Sequence, residues 1–140
     1  HSLGSVISYD VLNSLIRNDE IYNTGYDVPK RTKAFVTFGS FLDKIVFNFE
    51  IQQKKLALRD GILAALQPMI RDYNLRPQKW INIYANADIF SGQLDYFDDP
   101  ETSSDKRVQN IKDKECRFPV LAHIQYWKKK LLYKTVLKYI

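Results

Sequence analysis

Cysteine, histidine and glycine are scarce in this chain of 140 residues. Cys116 is the one cysteine, so the chain cannot form an internal disulfide, and we expect a reducing, cytoplasmic compartment. The cysteine and the two histidines show no H-x-x-x-H or C-x-x-C spacing, which argues against a zinc site. The five glycines are scattered singly and form no phosphate-binding loop. We therefore expect no metal and no cofactor.

Long apolar runs and concentrated charge are also lacking. No uncharged apolar run approaches the roughly 18 residues that span a bilayer, and the first residues lack the basic flank and apolar core of a secretory signal. The net charge is +5, but the basic residues fall into small separate groups at 29–33, 53–55 and 128–130. This distribution predicts neither a membrane span nor a nucleic-acid partner.

Apolar residues are abundant, and their spacing predicts alternating helices and strands. The hydrophobic fraction is 45 %, enough for one packed domain over 1–140. A helix is predicted from about Leu3 to Asn18, with an apolar face formed by Val11, Leu12, Leu15 and Ile16. Short buried strands are predicted at 34–38 and 80–85, with a possible third at 108–111. A closing helix is predicted from about His123 to Ile140.

This alternation is typical of an α/β domain with a mostly parallel sheet flanked by helices. Two or three strands are too few for a stable sheet of that kind, because each parallel strand needs neighbours and cover on both faces. We therefore expect a partial sheet whose first strands are missing. The aromatic segment 41–75 is interpreted either as a lid or substrate-pocket segment or as core.

The first four residues, "HSLG", match the end of the G-x-S-x-G pattern, in which a serine occupies a sharp turn between a strand and a helix. The match is weak by itself, because a serine that caps the N-terminus of a helix is the alternative. Chain order strengthens it: Asp88 follows the second strand, and His123 precedes the last helix.

Each of the other two positions has an alternative. Asp95 is the next candidate for the acid, and we expect Asp98 and Asp99 to lie in a solvated loop. His123 could instead be a structural histidine at a helix start, packed beside Tyr126 and Trp127. Cys116 has no comparable turn, so a buried, unreactive thiol is expected there. Ser40 and Asp43 are expected to shape the end of the first strand.

Four stretches, "HSLGSVISYDVL", "FVTFGSFLDK", "WINIYANADIFSGQLDYFDD" and "VLAHIQYW", resemble in that order the second half of serine esterase and lipase-like α/β-hydrolases. The resemblance covers essentially the whole chain and implies the C-terminal part of such a domain, beginning inside the nucleophile elbow. It departs at the first elbow glycine, which the sequence does not contain, and at Phe41, where proline is common.

The resemblance also implies roles. Ser2 would be the nucleophile, His123 the general base and then acid, Asp88 the carboxylate that orients the histidine, and the Leu3 N–H one oxyanion donor. The implied function is hydrolysis of a small-molecule or lipid carboxylic ester through an acyl-serine. Residues expected to bind the substrate are Phe41, Leu42, Ile45 and Phe47.

The second oxyanion donor of such enzymes comes from a loop after an early strand. We therefore expect these 140 residues to be inactive alone, and the N-terminal segment of the same fold to be their partner in a longer parent protein. The alternative hypothesis is a non-catalytic interaction module derived from an α/β-hydrolase.

Overall fold

A three-stranded parallel sheet lies at the centre of the computed structural model, which describes residues 1–45, 67–99, 101, 103–119 and 121–139. The elements in chain order are α1 (Leu3–Tyr22), α2 (Val28–Arg31), β1 (Phe35–Phe38), α3 (Pro68–Arg71), β2 (Trp80–Tyr84), β3 (Val108–Lys112), α4 (Ala122–Gln125) and α5 (Lys130–Val136). Short 3-10 turns lie at Tyr73–Leu75, Asp95–Phe97 and Tyr126–Lys128.

The strand order is β1-β2-β3, and both pairings are parallel. Trp80 at the start of β2 lies opposite Phe35 in β1 and Val108 in β3. The amino ends of all three strands therefore lie together, along what we call the amino edge of the sheet, and their carboxyl ends lie along the opposite, carboxyl edge. The prediction of an α/β domain with a parallel sheet flanked by helices is confirmed at that level.

The sheet separates two apolar clusters, because successive side chains of a strand point to opposite faces. On the α1 face, Trp80 packs with Tyr9, Leu12, Ile16, Leu42, Met69, Leu94, Phe97 and Val108. On the face covered by α4 and α5, Ile81 and Ile83 pack with Phe38, Ala85, Cys116, Ala122, Tyr126 and Leu132. The strands predicted to be buried on both faces are therefore covered on both.

The first helix is longer than predicted and buries a different face. It ends at Tyr22 rather than Asn18, and Asn23 follows in the left-handed conformation with φ 46°. The buried residues are Ser5, Tyr9, Leu12, Asn13 and Ile16, whereas Val11 and Leu15 are about half exposed. The pattern of apolar residues could not decide between these faces, because Val11 and Leu12 point about 100° apart around the helix and are both apolar.

The predicted closing helix is interrupted. The 3-10 turn that follows α4 ends at Lys128, and the extended backbone of Lys129 (φ −100°, ψ 138°) separates it from α5. The hydroxyl of Tyr133 donates to the carbonyl of Trp127 at 2.6 Å across the break. Ala122 before the break and Leu132 after it both belong to the same core cluster.

A polar ladder crosses the α1 face of the sheet, which the sequence does not predict. Thr37, Asn82 and Asn110 are in register on the three strands. Thr37 Oγ1 donates to Asn82 Oδ1 at 3.1 Å, and Asn82 Nδ2 donates to Asn110 Oδ1 at 2.8 Å. Asn82 Nδ2 also donates to the carbonyl of Gly92 at 2.9 Å, and the Leu94 N–H donates to Asn110 Oδ1 at 3.0 Å. The ladder therefore anchors the loop that follows Asp88.

The expectation that Asp98 lies in a solvated loop is wrong. Arg76 is fully buried and donates from Nη1 to Asp98 Oδ1 at 2.5 Å. Asp98 Oδ2 accepts from the Val108 N–H at 2.9 Å, and Arg76 Nε donates to the Met69 carbonyl at 2.7 Å. This ion pair holds the beginning of β3 in place. The sequence did not predict it, because the acidic loop that contains Asp98 lies 22 residues after Arg76.

No helix within the described ranges is both long enough and apolar enough to cross a membrane.

Candidate active site

Ser2 lies in a strained turn at the carboxyl end of β1. Its N–H donates to the Gly39 carbonyl at 3.1 Å, and Ser2 forms an isolated parallel bridge with Ser40. Its backbone has φ 54° and ψ −136°, a conformation that costs a non-glycine residue on the order of 1–3 kcal/mol. The first helix starts at the next residue, so the turn holds the serine above the edge of the sheet.

The side chain of Ser2 does not cap α1, as the alternative interpretation would require. No hydrogen bond joins Ser2 Oγ to a backbone N–H of the first turn. Instead, Ser2 Oγ lies 2.8 Å from Nε2 of His123. A neutral imidazole whose Nε2 is unprotonated accepts a hydrogen bond from a hydroxyl in this position.

His123 joins Ser2 to the carboxylate of Asp88. Its Nδ1 is 3.0 Å from Asp88 Oδ2 and 3.2 Å from Oδ1. The Asp88 side chain is fully buried, whereas 17 % of the His123 side chain is exposed. Asp95, the competing candidate, accepts instead from Asn110 Nδ2 at 2.9 Å. The structure thus brings together Ser2, His123 and Asp88, and their catalytic roles stay predictions.

His1 contacts both the backbone carbonyl and the ring of His123. Its Nε2 lies 2.7 Å from the His123 carbonyl, and the two imidazole centroids are 4.7 Å apart. The residue before Ser2 therefore fixes the backbone that carries His123.

Asp88 receives further donors on both oxygens. The Phe90 N–H donates to Oδ1 at 3.0 Å, and the Tyr126 hydroxyl donates to Oδ2 at 3.0 Å. A buried carboxylate needs such partners, because an unpaired charge in the interior is very costly. Burial raises the pKa of Tyr126 well above its ordinary value, so its hydroxyl stays a donor across the physiological range. From the sequence, Tyr126 is expected only as a packing neighbour of His123.

Leu3 supplies the first N–H of α1. The first four N–H groups of a helix have no acceptor within the helix, and the positive end of the helix dipole favours an anion nearby. Ser2 immediately precedes this helix of 20 residues. The position of Leu3 therefore fits the expected oxyanion donor, while its side chain is exposed.

Two phenylalanines lie against His123 at the site. Phe41 and Phe90 stack with centroids 5.2 Å apart and planes inclined by 21°. His123 makes edge contacts with both rings, at 5.2 Å to Phe90 and 6.2 Å to Phe41. Phe90 was not predicted from the sequence, although its place two residues after Asp88 was a usable signal.

The other predicted substrate residues are placed differently. Leu42 is buried in the core cluster on the α1 face, and its assignment to the substrate site stays a prediction. Ile45 is partly buried, and its N–H donates to the Phe41 carbonyl at 3.1 Å. Phe47 lies outside the described residues, as does most of the segment 41–75 that was interpreted as lid or core.

Ser40 and Asp43 make structural contacts. Ser40 Oγ lies 2.8 Å from Ser5 Oγ and accepts from the Leu42 N–H at 3.2 Å. Asp43 forms an exposed ion pair with Lys44 at 3.5 Å. The contacts of Ser40 fit the expectation that it shapes the end of β1, and for Asp43 that expectation stays a prediction.

Cys116 is free and buried, as expected. Burial, reinforced by the charge of Asp113, raises the pKa of its thiol to about 12. A thiol that holds its proton so strongly is a poor nucleophile. In the part of the chain that the structure describes, no three histidine, cysteine or acidic side chains group together to hold a metal ion.

Comparison with protein families, curated proteins and solved structures finds no match for this chain.

Proposed function

We propose that this chain carries the catalytic residues of a serine hydrolase that acts on a carboxylic ester, in a domain of the α/β-hydrolase type. The observation that carries the proposal is the continuous contact from Ser2 Oγ to His123 Nε2 and from His123 Nδ1 to Asp88. Its place at the carboxyl ends of parallel strands supports the proposal, because ligands of open α/β sheets bind at that edge.

In the proposed mechanism, Ser2 Oγ attacks the ester carbonyl while its proton passes to His123 Nε2. The oxyanion of the tetrahedral intermediate accepts a hydrogen bond from the Leu3 N–H. When the intermediate collapses, the carbon–oxygen bond to the alcohol breaks, and His123 returns the proton to the departing alcohol. Water then attacks the acyl-serine by the same route, which releases the acid and restores Ser2.

Asp88 orients the imidazole and stabilises its charged form during both steps. It suits this task because its carboxylate is held by the Phe90 N–H and the Tyr126 hydroxyl as well as by His123. The aromatic pair Phe41 and Phe90 would contact an apolar group of the ester, since both rings lie against the general base. Substrates with a hydrophobic acyl or alcohol group therefore fit best.

The proposal includes a partner, the N-terminal segment of the same fold in a longer parent protein. The Phe35 N–H bonds the Lys79 carbonyl and the Gly39 N–H bonds the Ile83 carbonyl, so the alternate amides of Val36 and Phe38 point away from β2. The parallel bridge between Ser2 and Ser40 lies along this same outer edge. A parallel strand from the N-terminal segment would pair there.

The same segment would cover an apolar stripe on α1. Four residues spaced by one helical turn are about half exposed: Leu3, Ile7, Val11 and Leu15. A stripe of this kind on a helix normally packs against another layer of the fold.

The N-terminal segment would also bring the second oxyanion donor. Without it, we expect the 140 residues to show no ester turnover. The free thiol of Cys116 fits a cytoplasmic parent protein.

The decisive experiment treats the purified parent protein with a fluorophosphonate probe, which phosphonylates activated serines, and maps the modified residue by mass spectrometry. We expect modification at Ser2 and its loss in Ser2→Ala. Ser8→Ala is the matched control, because Ser8 is an exposed serine on the same helix whose hydroxyl donates to the Gly4 carbonyl. A folded parent protein that shows no modification at Ser2 would overturn the proposal and favour the interaction module.

A further inference from the structure

Tyr126 is connected to the site through its hydroxyl, which donates to Asp88 Oδ2 at 3.0 Å. The same oxygen is 3.0 Å from His123 Nδ1. His123 and Tyr126 are three residues apart on one continuous helical stretch, α4 and the 3-10 turn that follows it. One element therefore delivers both the base and a second donor to a single carboxylate oxygen.

The protons in this network can be assigned. Tyr126 has one hydroxyl proton, and an ionised carboxylate can only accept, so that proton goes to Asp88. Ser91 Oγ lies 3.0 Å from the Tyr126 oxygen, and Ser91 must then be the donor of that bond. The resulting chain runs from Ser91 through Tyr126 to Asp88 and is buried along its length.

The ring of Tyr126 is held in place by its surroundings. It is fully buried, and a Cβ added at Gly39 would lie 3.0 Å from its Cε2. Gly39 has φ 52° and directly precedes the residue that bridges Ser2. The turn that carries the nucleophile thus closes over this ring, which leaves the hydroxyl little freedom to leave Asp88.

We propose that Tyr126 is a positioning residue of the catalytic centre, which fixes the Asp88 carboxylate against His123 and is itself aligned by Ser91. This inference rests on the proposed function of Ser2, His123 and Asp88. By sharing the negative charge of Asp88, the Tyr126 hydroxyl also limits how strongly the carboxylate holds a proton on the imidazole. Without that hydroxyl, the Asp88 carboxylate would be placed less firmly against Nδ1, and a smaller fraction of the imidazole would be in the neutral form that accepts the Ser2 proton at the acidic end of the range.

Three of the described titratable groups lie beside this network. His1 contacts His123 through its ring, and Cys116 and Asp113 lie near the Tyr126 and Asp88 side. Tyr126→Phe leaves these three side chains chemically unchanged. A difference in pH dependence between the wild type and a Tyr126 variant therefore reports on the hydrogen bond itself.

The test measures the second-order rate of fluorophosphonate labelling at Ser2 in the parent protein across pH 5 to 9. Tyr126→Phe keeps the ring and removes the donor. We expect the rate to fall about tenfold, from the loss of one hydrogen bond to a charged group, and the acidic limb of the profile to move up by about half a pH unit. Ser91→Ala should change both quantities in the same direction but less.

Tyr133→Phe is the matched control. It removes a tyrosine hydroxyl from the neighbouring helix, where the hydroxyl donates to the Trp127 carbonyl and makes no contact with Asp88. A Tyr126→Phe protein that is folded, and whose rate and pH profile equal those of Tyr133→Phe, would refute the positioning role while labelling of Ser2 upholds the proposed function. If Tyr126→Phe does not fold, the Ser91→Ala profile decides alone: an unchanged profile refutes the role. Absence of labelling in the wild type would remove the proposed function and this inference together.

Discussion

Asp88 and Asp98 are both buried aspartates that follow β2, yet they lie at opposite edges of the sheet and have different partners. Asp98 is paired with the buried guanidinium of Arg76 and with the first N–H of β3. Asp88 faces an imidazole, a phenol and one backbone N–H at the carboxyl ends of the strands.

The difference lies in what each partner can do. An arginine keeps its charge at every relevant pH, so the pair at the amino edge is permanent and fixes the fold. A histidine can gain and lose a proton near neutral pH, so the pair at the carboxyl edge can serve chemistry. The same residue type is thus used for stability at one edge and, in our proposal, for catalysis at the other.

The largest expected effect tests the carboxyl edge. Asp88→Asn keeps the shape of the side chain but removes the charge that orients and stabilises His123. We expect fluorophosphonate labelling of Ser2 in the parent protein to slow by about 10³-fold or more, with a much smaller change in the free energy of unfolding. A variant that labels at the wild-type rate would show that Asp88 is not the orienting acid.

The corresponding change at the amino edge should have the opposite signature. Asp98→Asn leaves the buried Arg76 without its counter-charge, and such a loss costs about 3–5 kcal/mol. We therefore expect a markedly lower denaturation midpoint in urea, while the folded fraction labels at Ser2 at the wild-type rate. Equal loss of labelling and of stability in both aspartate variants would refute the division between the two edges.

A third variant tests the ladder between the two edges. Asn82→Ala removes the side chain that bonds both Asn110 and the Gly92 carbonyl. Because it leaves buried polar groups without partners, the free energy of unfolding should fall by about 2 kcal/mol. Loss of the anchor for the loop after Asp88 should also slow labelling at Ser2 moderately. Chemical denaturation and the labelling rate, compared with those of Asp88→Asn, measure the two effects separately.

The open edge of β1 gives a fourth prediction. In the 140-residue chain alone, the amides of Val36 and Phe38 should exchange with solvent faster than those of Phe35 and Gly39, which bond β2. The same chain should not hydrolyse p-nitrophenyl acetate. In the parent protein, the Val36 and Phe38 amides should become protected as the proposed strand pairs with them. Ester turnover by the isolated chain that disappears in Ser2→Ala would contradict the need for a partner segment.

The smallest expected effect concerns Cys116. Because burial raises its pKa to about 12, the thiol stays protonated at neutral pH and should react with iodoacetamide only slowly in the folded protein. In urea the reaction should reach the rate of an ordinary free cysteine. Rapid alkylation of the folded chain at pH 7 would show that Cys116 is a reactive group in its own right.

Local patterns predicted the strands better than the helices. Short apolar runs located β1 and β2 to within a residue or two, because strands buried on both faces are continuous in sequence. The third strand, β3, was only a possible strand at 108–111, because its sequence mixes apolar and polar residues. The helices were less certain. Two adjacent apolar faces compete on α1, and only packing against the sheet selected Leu12 and Ile16 over Val11 and Leu15. The break at Lys129 has no proline or glycine to announce it.

By itself the sequence determined an α/β chain and the order Ser2, Asp88, His123, together with a serine at the start of a helix. Only the tertiary structure decided that these three side chains meet, that Asp88 rather than Asp95 contacts the histidine, and that Asp98 is buried. It also added Tyr126, Phe90 and the Thr37–Asn82–Asn110 ladder. The physical reason is that residue spacing constrains local conformation, whereas hydrogen bonds between residues 15 to 121 positions apart depend on how the strands and helices pack.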